Sequence, residues 1–450
     1  MRRHAKSSPV VRRASAAAQR GFTIVEAIVT LFVLVIVLVA VLSLFDFSNK
    51  LTRVQMQISD MQQELRVGQY EVARLTRMAG RGGLPASTAA HALPNGVALG
   101  VRDNVGAKPS DDVHVAIGNA ASPQIITGTD VLTVRGIFNT PVYQIQYADA
   151  AQWQLVEKDT PLTFTTDPTK AKFIRLQVCR ISPAGIEQDL GPLQKAIADN
   201  THEAIVMVSP IEDSIYAVVE LDPTRSTTTS LNCPLVPPPG SNTREGLTLW
   251  FNVGTTQVTP TTPKDYYSAL SPAPIDGLLM PTFTKAAFIG IIEEYRYYLR
   301  LEHERPGDAS TPISPRLTRA RFFPGTEQAY AGDSSNFLLD VAENLIDFQV
   351  ALAVDLNADG AITDDGTKND EWLFNAVDDD PTDARWANQR FFNLRFTTMA
   401  RTDRYDPKYN APAIDTIEDN VYAADAYENA EQSRMHRRRL AQTVIQLRNL

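Results

Sequence analysis

The sequence predicts an α+β protein, a long N-terminal α-helix packed on a large antiparallel β-sheet body. Three observations predict it. Residues Ala27–Phe45 form an apolar run without charge, proline or glycine. An apolar stripe at spacings of three and four then continues to Met78. Beyond Pro85 the pattern changes to short alternating or β-branched runs bounded by Pro, Gly, Asn and Asp, as strands and turns require.

The first element is a membrane span followed by an amphipathic extension. Nineteen residues from Ala27 to Phe45 rise about 28 Å as a helix, close to the thickness of a bilayer's hydrocarbon core. In lipid the backbone must satisfy its own hydrogen bonds, so the Val- and Ile-rich run is helical there. Its flank is basic: Arg2, Arg3, Lys6, Arg12, Arg13 and Arg20 precede it with no acid among residues 1–21. That asymmetry keeps the N-terminus cytoplasmic and exports the body. The stripe Leu51, Val54, Ile58, Met61, Leu65 continues after a break at Gly68 through Val72, Leu75 and Met78. Packing on the chain's own β-domain is its favoured use, a coiled-coil partner the alternative. Gly80, Gly82, Gly83 and Pro85 end the helix.

One residue in this segment demands an explanation. Glu26 stands at the mouth of the apolar run, where a carboxylate costs up to about 2.5–3.5 kcal/mol if drawn to mid-membrane. A cleaved secretory signal would end in a small-residue site, and none follows the run. A plain signal anchor leaves the acid unexplained. The run Gly21-Phe22-Thr23-Ile24-Val25-Glu26 resembles the processing site of type IV prepilins. The resemblance implies cleavage between Gly21 and Phe22, N-methylation of Phe22, and a Glu26 that neutralises the free amine of a neighbouring subunit, or its own, during assembly.

The remaining elements are expected as follows: a leader over 1–21, the helix over 22–80 (transmembrane about 27–45, amphipathic about 46–79), a first β-rich region over 84–223, a Pro/Thr/Ser-rich linker or loop region over 224–285, and a C-terminal β-rich region over 286–450. The linker can divide the body into two β-subdomains. Strands are expected at Val113–Ile117, Val131–Phe138, Tyr143–Tyr147, Phe173–Arg180, Ala204–Val208 and Ile215–Leu221. The last third offers further core strands in Ala287–Arg300, Phe337–Asp355, Arg390–Arg401 and Arg437–Leu450, with a short helix around Ala342–Ile346. In that order these segments, with Gly128–Arg135, resemble PilW-like minor pilins. Between about residues 140 and 285 the resemblance is poor.

The family implies a non-catalytic assembly protein of the inner membrane, single-pass with its C-terminus in the periplasm, later at or near the pilus tip. Its implied partners are other minor pilins, the major pilin, the prepilin peptidase and a PilY-type tip adhesin. A GspJ-like pseudopilin of type II secretion shares the processing site. An anchored periplasmic adhesive or binding protein is the reading from another class.

Charge and motif content bound the alternatives. The chain has 43 basic and 52 acidic residues, and six of the basic ones lie in the first 21 positions. So acidic a body is a poor nucleic-acid partner. The six histidines are scattered without zinc spacing, and no nucleophile, phosphate-cradle or CxxC motif occurs, so no enzyme is expected. Cys179 and Cys233 can form one disulfide, closing a loop of about 55 residues worth on the order of 4 kcal/mol. The stretch Asp355-Leu356-Asn357-Ala358-Asp359-Gly360-Ala361 has the D-x-N-x-D-G start of a calcium loop. Gly366 stands where such a loop carries its bidentate acid, leaving Asp364 or Asp365 as substitutes. Calcium is one reading of this stretch and an Asx-rich turn the other.

Overall fold

A computed structural model of the chain describes residues 23–84, 98–105, 125–145, 153–157, 160–162, 173–182, 184–208, 216–231, 244–252, 288–305, 310–325, 330, 338–386, 391–421 and 430–447. The expected strand Val113–Ile117 lies outside them. Two compact units divide the chain, one ending at Gln57 and the other beginning at Ile58.

Helix α1 spans Ile24–Thr76. Within the first unit its residues from Ile24 to Phe47 are all exposed, and it is the one helix among the described residues long and apolar enough to cross a membrane. Its hydroxyls turn back on the helix: Thr30 Oγ1 donates to the Glu26 carbonyl at 2.6 Å and Ser43 Oγ to that of Val39 at 2.8 Å. Neither hydroxyl is left to be desolvated alone, which is what a lipid-facing helix needs.

The second unit holds the β body, and every described ladder is antiparallel. Strands β1 (Leu99–Arg102) and β2 (Val131–Gly136) form a five-stranded sheet with β12 (Glu293–His303), β13 (Ile313–Phe322) and β14 (Leu338–Glu343), in the order β1-β2-β12-β13-β14. A nine-stranded sheet takes β3 (Tyr143–Gln144), β4 (Trp153–Glu157), β5 (Thr160–Leu162), β6 (Phe173–Cys179), β7 (Ala204–Val208), β8 (Tyr216–Leu221), β9 (Thr227–Leu231), β10 (Arg244–Asn252) and β11 (Phe288–Ile291). Helix α2 (Gly191–Ala198) packs Leu193 and Ala196 into the core of that sheet. The third sheet runs β16-β15-β17-β20, from β15 (Leu345–Ala353), β16 (Trp372–Leu373), β17 (Asn393–Arg401) and β20 (Arg438–Gln446). A hairpin, β18 (Thr416–Ile417) and β19 (Asn420–Val421), and the short α3 (Ala430–Arg434) complete it.

The main core forms where the second part of α1 meets the first and third sheets. Met61, Leu65, Val72, Ala73 and Leu75 join Leu132, Val134, Tyr297 and Leu317 from one sheet and Phe348, Val350, Leu394 and Phe396 from the other. The stripe spacing of three and four turns these helix residues to one side, so α1 closes the core with its own apolar face. Gly68 does not interrupt the helix. A Cβ there would stand 3.3 Å from Leu317 Cδ2, 3.4 Å from Ala342 and 3.5 Å from Leu345, so the missing side chain lets backbone and sheet approach closely.

Two expectations are corrected. Ala342–Ile346 is not helical: it is the end of β14, Asn344 at φ 58°, and the start of β15. Asn tolerates the left-handed region, and its backbone is paired on both sides, its N–H to Pro315 and its carbonyl to the N–H of Arg401. All nine residues of β15 are buried, the mark of a strand covered on both faces, which a helix period misreads. The stretch taken as a linker from residue 224 contains β9 and β10. Thr227–Leu231 pairs with Arg244–Thr248, β-branched threonines serving a strand where a low apolar count read as loop. The run Ala287–Arg300 also divides: β11 belongs to the nine-stranded sheet and β12 to the five-stranded one, with the Ile292 N–H bonded to the Ala204 carbonyl between them.

Candidate functional site

The helix start carries the first candidate site. Gly21 and Phe22 lie outside the described residues. Thr23 and Glu26 form a reciprocal cap. The Thr23 N–H donates to Glu26 Oε2 at 3.0 Å, its hydroxyl does so at 3.1 Å, and the Glu26 N–H donates to Thr23 Oγ1 at 3.3 Å. This T-x-x-E box satisfies two of the N–H groups that any helix start leaves open. Its signature was present in the sequence and gives Glu26 a local partner besides an amine. The carboxylate remains exposed, at the positive end of the helix dipole.

Further along, α1 is fastened to the body by charge as well as by apolar contact. Glu71 accepts from Arg74 Nε at 3.0 Å and Nη2 at 2.9 Å, and is also paired with Arg319 of β13. Tyr297 Oη donates to the Glu71 carbonyl at 3.3 Å. Burial would raise the Glu71 carboxyl, but the Arg74 hydrogen bond and the Arg319 and Arg74 charges outweigh it and hold it below the usual range. Higher up the helix, Glu64 accepts from the Glu343 N–H at 3.0 Å.

The acidic loop folds as nested Asx turns. Asp355 accepts from the N–H groups of Asp359 at 3.1 Å and Gly360 at 2.7 Å; Asn357 accepts from Asp359 at 2.8 Å; Asp359 accepts from Ala361 at 2.8 Å. Ala358 at φ 58° and Gly360 at φ 85° supply the left-handed positions, and Gly360 has nothing within 4 Å of a would-be Cβ. The two substitutes for a closing acid are elsewhere. Asp364 pairs with Arg395, and Asp365 caps its own turn through Thr367 at 3.0 Å. The acid that closes the loop is Glu371, which accepts from Leu356 at 2.8 Å, Asn357 at 3.2 Å and Thr363 at 2.8 Å. Buried five places beyond the expected position, it was hidden from a reading by fixed spacing. As arranged, no three His, Cys, Asp or Glu side chains among the described residues group to hold a metal ion. Cys179 is disulfide-bonded, and the only other cysteine, Cys233, lies outside the described residues.

One cluster had no signal in the sequence. Asp103, Asp130, Asp347 and Asp419, far apart in the chain, meet beneath the β18–β19 hairpin. Asn104 links three of them: its N–H donates to Asp130 Oδ1 at 2.8 Å, and its Nδ2 donates to Asp103 Oδ1 at 2.9 Å and Asp419 Oδ2 at 3.1 Å. The Val350 N–H donates to Asp130 Oδ2 at 2.7 Å. Asn420 Nδ2 and Gln349 Nε2 donate to Asp347 at 3.0 and 2.6 Å. Burial, then the Asp130 and Asp103 charges and the hydrogen bond to Asp103, push the Asp419 carboxyl up to about 10. Burial and Asp103 push Asp130 well up, and burial raises Asp103, which is hydrogen-bonded to Asp419 and to Asp130.

Compared with known proteins, the chain matches no family model, no curated protein and no solved structure.

Proposed function

We propose that the chain is a minor pilin of a type IV pilus system, PilW-like, made as a prepilin and acting in pilus assembly at the inner membrane and then at or near the filament tip. The observation that carries this reading is α1. One continuous helix is apolar and fully exposed from Ala27 to Phe45, then turns amphipathic and closes an antiparallel β core with Met61, Leu65, Val72 and Leu75. A subunit with this helix can leave lipid for a bundle of like helices without exposing apolar surface to water, because the same face serves in either medium. Its β body stays folded throughout, since that fold does not draw on residues 24–57 for its core.

In this reading Gly21 and Phe22 mark the cleavage, and Glu26 offers its exposed carboxylate to the new amine of a neighbour. The partners are the prepilin peptidase, sister minor pilins, the major pilin and a PilY-type adhesin. The role is structural, without catalysis. Mass spectrometry of the mature protein tests it. The expected N-terminus is N-methylated Phe22, and a mature chain that retains Met1 or starts at any other residue overturns the proposal.

A further inference from the structure

The acid cluster under the β18–β19 hairpin serves neither the membrane helix nor the processing site, and its chemistry is unusual. Four carboxyl groups arrive from four places: Asp103 after β1, Asp130 before β2, Asp347 on β15 and Asp419 in the hairpin turn. Three of them are buried, with Asp130 fully enclosed, Asp347 1% exposed and Asp419 8% exposed. The donors that reach Asp103, Asp130 and Asp419 come from amide groups, namely the Asn104 backbone and side chain and the Val350 backbone. Asp419 Oδ1 is buried and has no hydrogen-bond donor. The other hairpin acid, Glu418, is engaged by Arg395 and Thr397.

Unscreened carboxylates this close would repel strongly, and a buried acceptor with no donor is costly. Both costs vanish if one carboxyl keeps its proton and donates it to its neighbour. One Asn104 amide nitrogen bridges Asp103 and Asp419, and the two carboxyls also lie within hydrogen-bond reach of each other, where they can share a proton. We infer that Asp103 and Asp419 share a proton at neutral pH, and that this acid–carboxylate hydrogen bond clasps the β18–β19 hairpin to the body and opens when the proton is lost. The charged group facing the pair is Asp130 from before β2, itself faced by Asp347 from β15; both are acids, so deprotonation finds no compensating charge from either. The step is a simple loss of H⁺ to solvent, leaving two carboxylates that repel.

The test uses the full chain in detergent with a chelator present. Hydrogen exchange over residues 415–421 and the Tm are followed between about pH 5 and 9, with exchange corrected for its intrinsic base catalysis. In the wild type, protection of the hairpin should fall at least tenfold across that range relative to β15 and β17. Asp419→Asn, whose amide donates to Asp103 at every pH, should hold that protection level and have a Tm at pH 8–9 equal to or above that of the wild type. Asp103→Asn should behave alike, which guards against one variant failing to fold. Protection that is independent of pH in the wild type, or an unchanged slope in both variants, overturns the inference. So does a rise in Tm at pH 8 when calcium replaces the chelator, if Asp419→Asn abolishes it, since the cluster would then hold a cation in place of a proton.

Discussion

At the scale of single residues, Glu26 has two separable roles. As the closing residue of the capping box it bonds Thr23, and glutamine can do that as well as glutamate. As the partner of a neighbouring amine it must carry charge. Glu26→Gln therefore keeps the helix start and removes only the charge, while Glu26→Ala removes both and costs about 0.3–1.5 kcal/mol of local helix stability. If assembly depends on the charge, both variants should insert in the membrane and both should be poorly incorporated into filaments. Counting the protein in sheared pili by immunoblot gives the answer. Wild-type incorporation of Glu26→Gln alongside failure of Glu26→Ala would reduce Glu26 to a cap.

At the scale of elements, the contact between α1 and the sheets turns on Gly68. Alanine there gains up to about 1 kcal/mol of helix propensity but meets Leu317, Ala342 and Leu345 at 3.3–3.5 Å, so Gly68→Ala should be close to neutral. Gly68→Leu cannot be placed without moving the sheet and should cost about 1–3 kcal/mol in chemical denaturation. A leucine variant as stable as the wild type would show that the helix does not press on β13 there. For the acidic loop, Asp355→Ala with Asp359→Ala removes three backbone hydrogen bonds and should lower the Tm even in chelator. Any additional calcium-dependent stabilisation of the wild type, absent from the variant, measures metal at this loop. How legible these elements were follows from their chemistry. The helix announces itself by period, because one face of its second part is core, and the strand Ala204–Val208 by a continuous apolar run, because both its faces are core. β9 did not, because its threonines are polar by composition yet fit a strand by shape. The 342–346 turn did not, because β15 is buried on both faces and carries no alternation to read. Glu371 and the Asp103–Asp419 pair were beyond reach, since only tertiary structure brings them to their partners.

At the scale of the whole molecule, stability should be bounded from both sides by buried acids. Three carboxylates are held below their ordinary range despite burial: Glu71 by Arg74 and Arg319, Glu294 by Arg135 and Arg296, and Asp340 by Arg300 and Arg316. Their unfolded counterparts titrate near 4.5 for Glu and 3.8 for Asp. A group depressed on folding contributes stability that is complete above its unfolded pKa and is lost as the pH falls through the folded one. The raised carboxyls act in the opposite sense. Asp419 binds its proton more tightly when folded, so its contribution is complete below about pH 3.8 and declines as pH rises toward about 10. The Tm should therefore pass through a maximum and fall steeply below about pH 4.5. Glu71→Gln isolates the acid limb. At pH 7 it leaves Arg319 and Arg74 without their carboxylate and should cost about 1–3 kcal/mol, while toward pH 3 the gap should narrow, because the wild-type carboxyl loses its charge as the pH falls through its lowered pKa. Denaturation midpoints of the two proteins measured at both pH values decide it. A gap of constant size would mean that Glu71 holds the helix by shape, and that the charge between α1 and β13 contributes nothing.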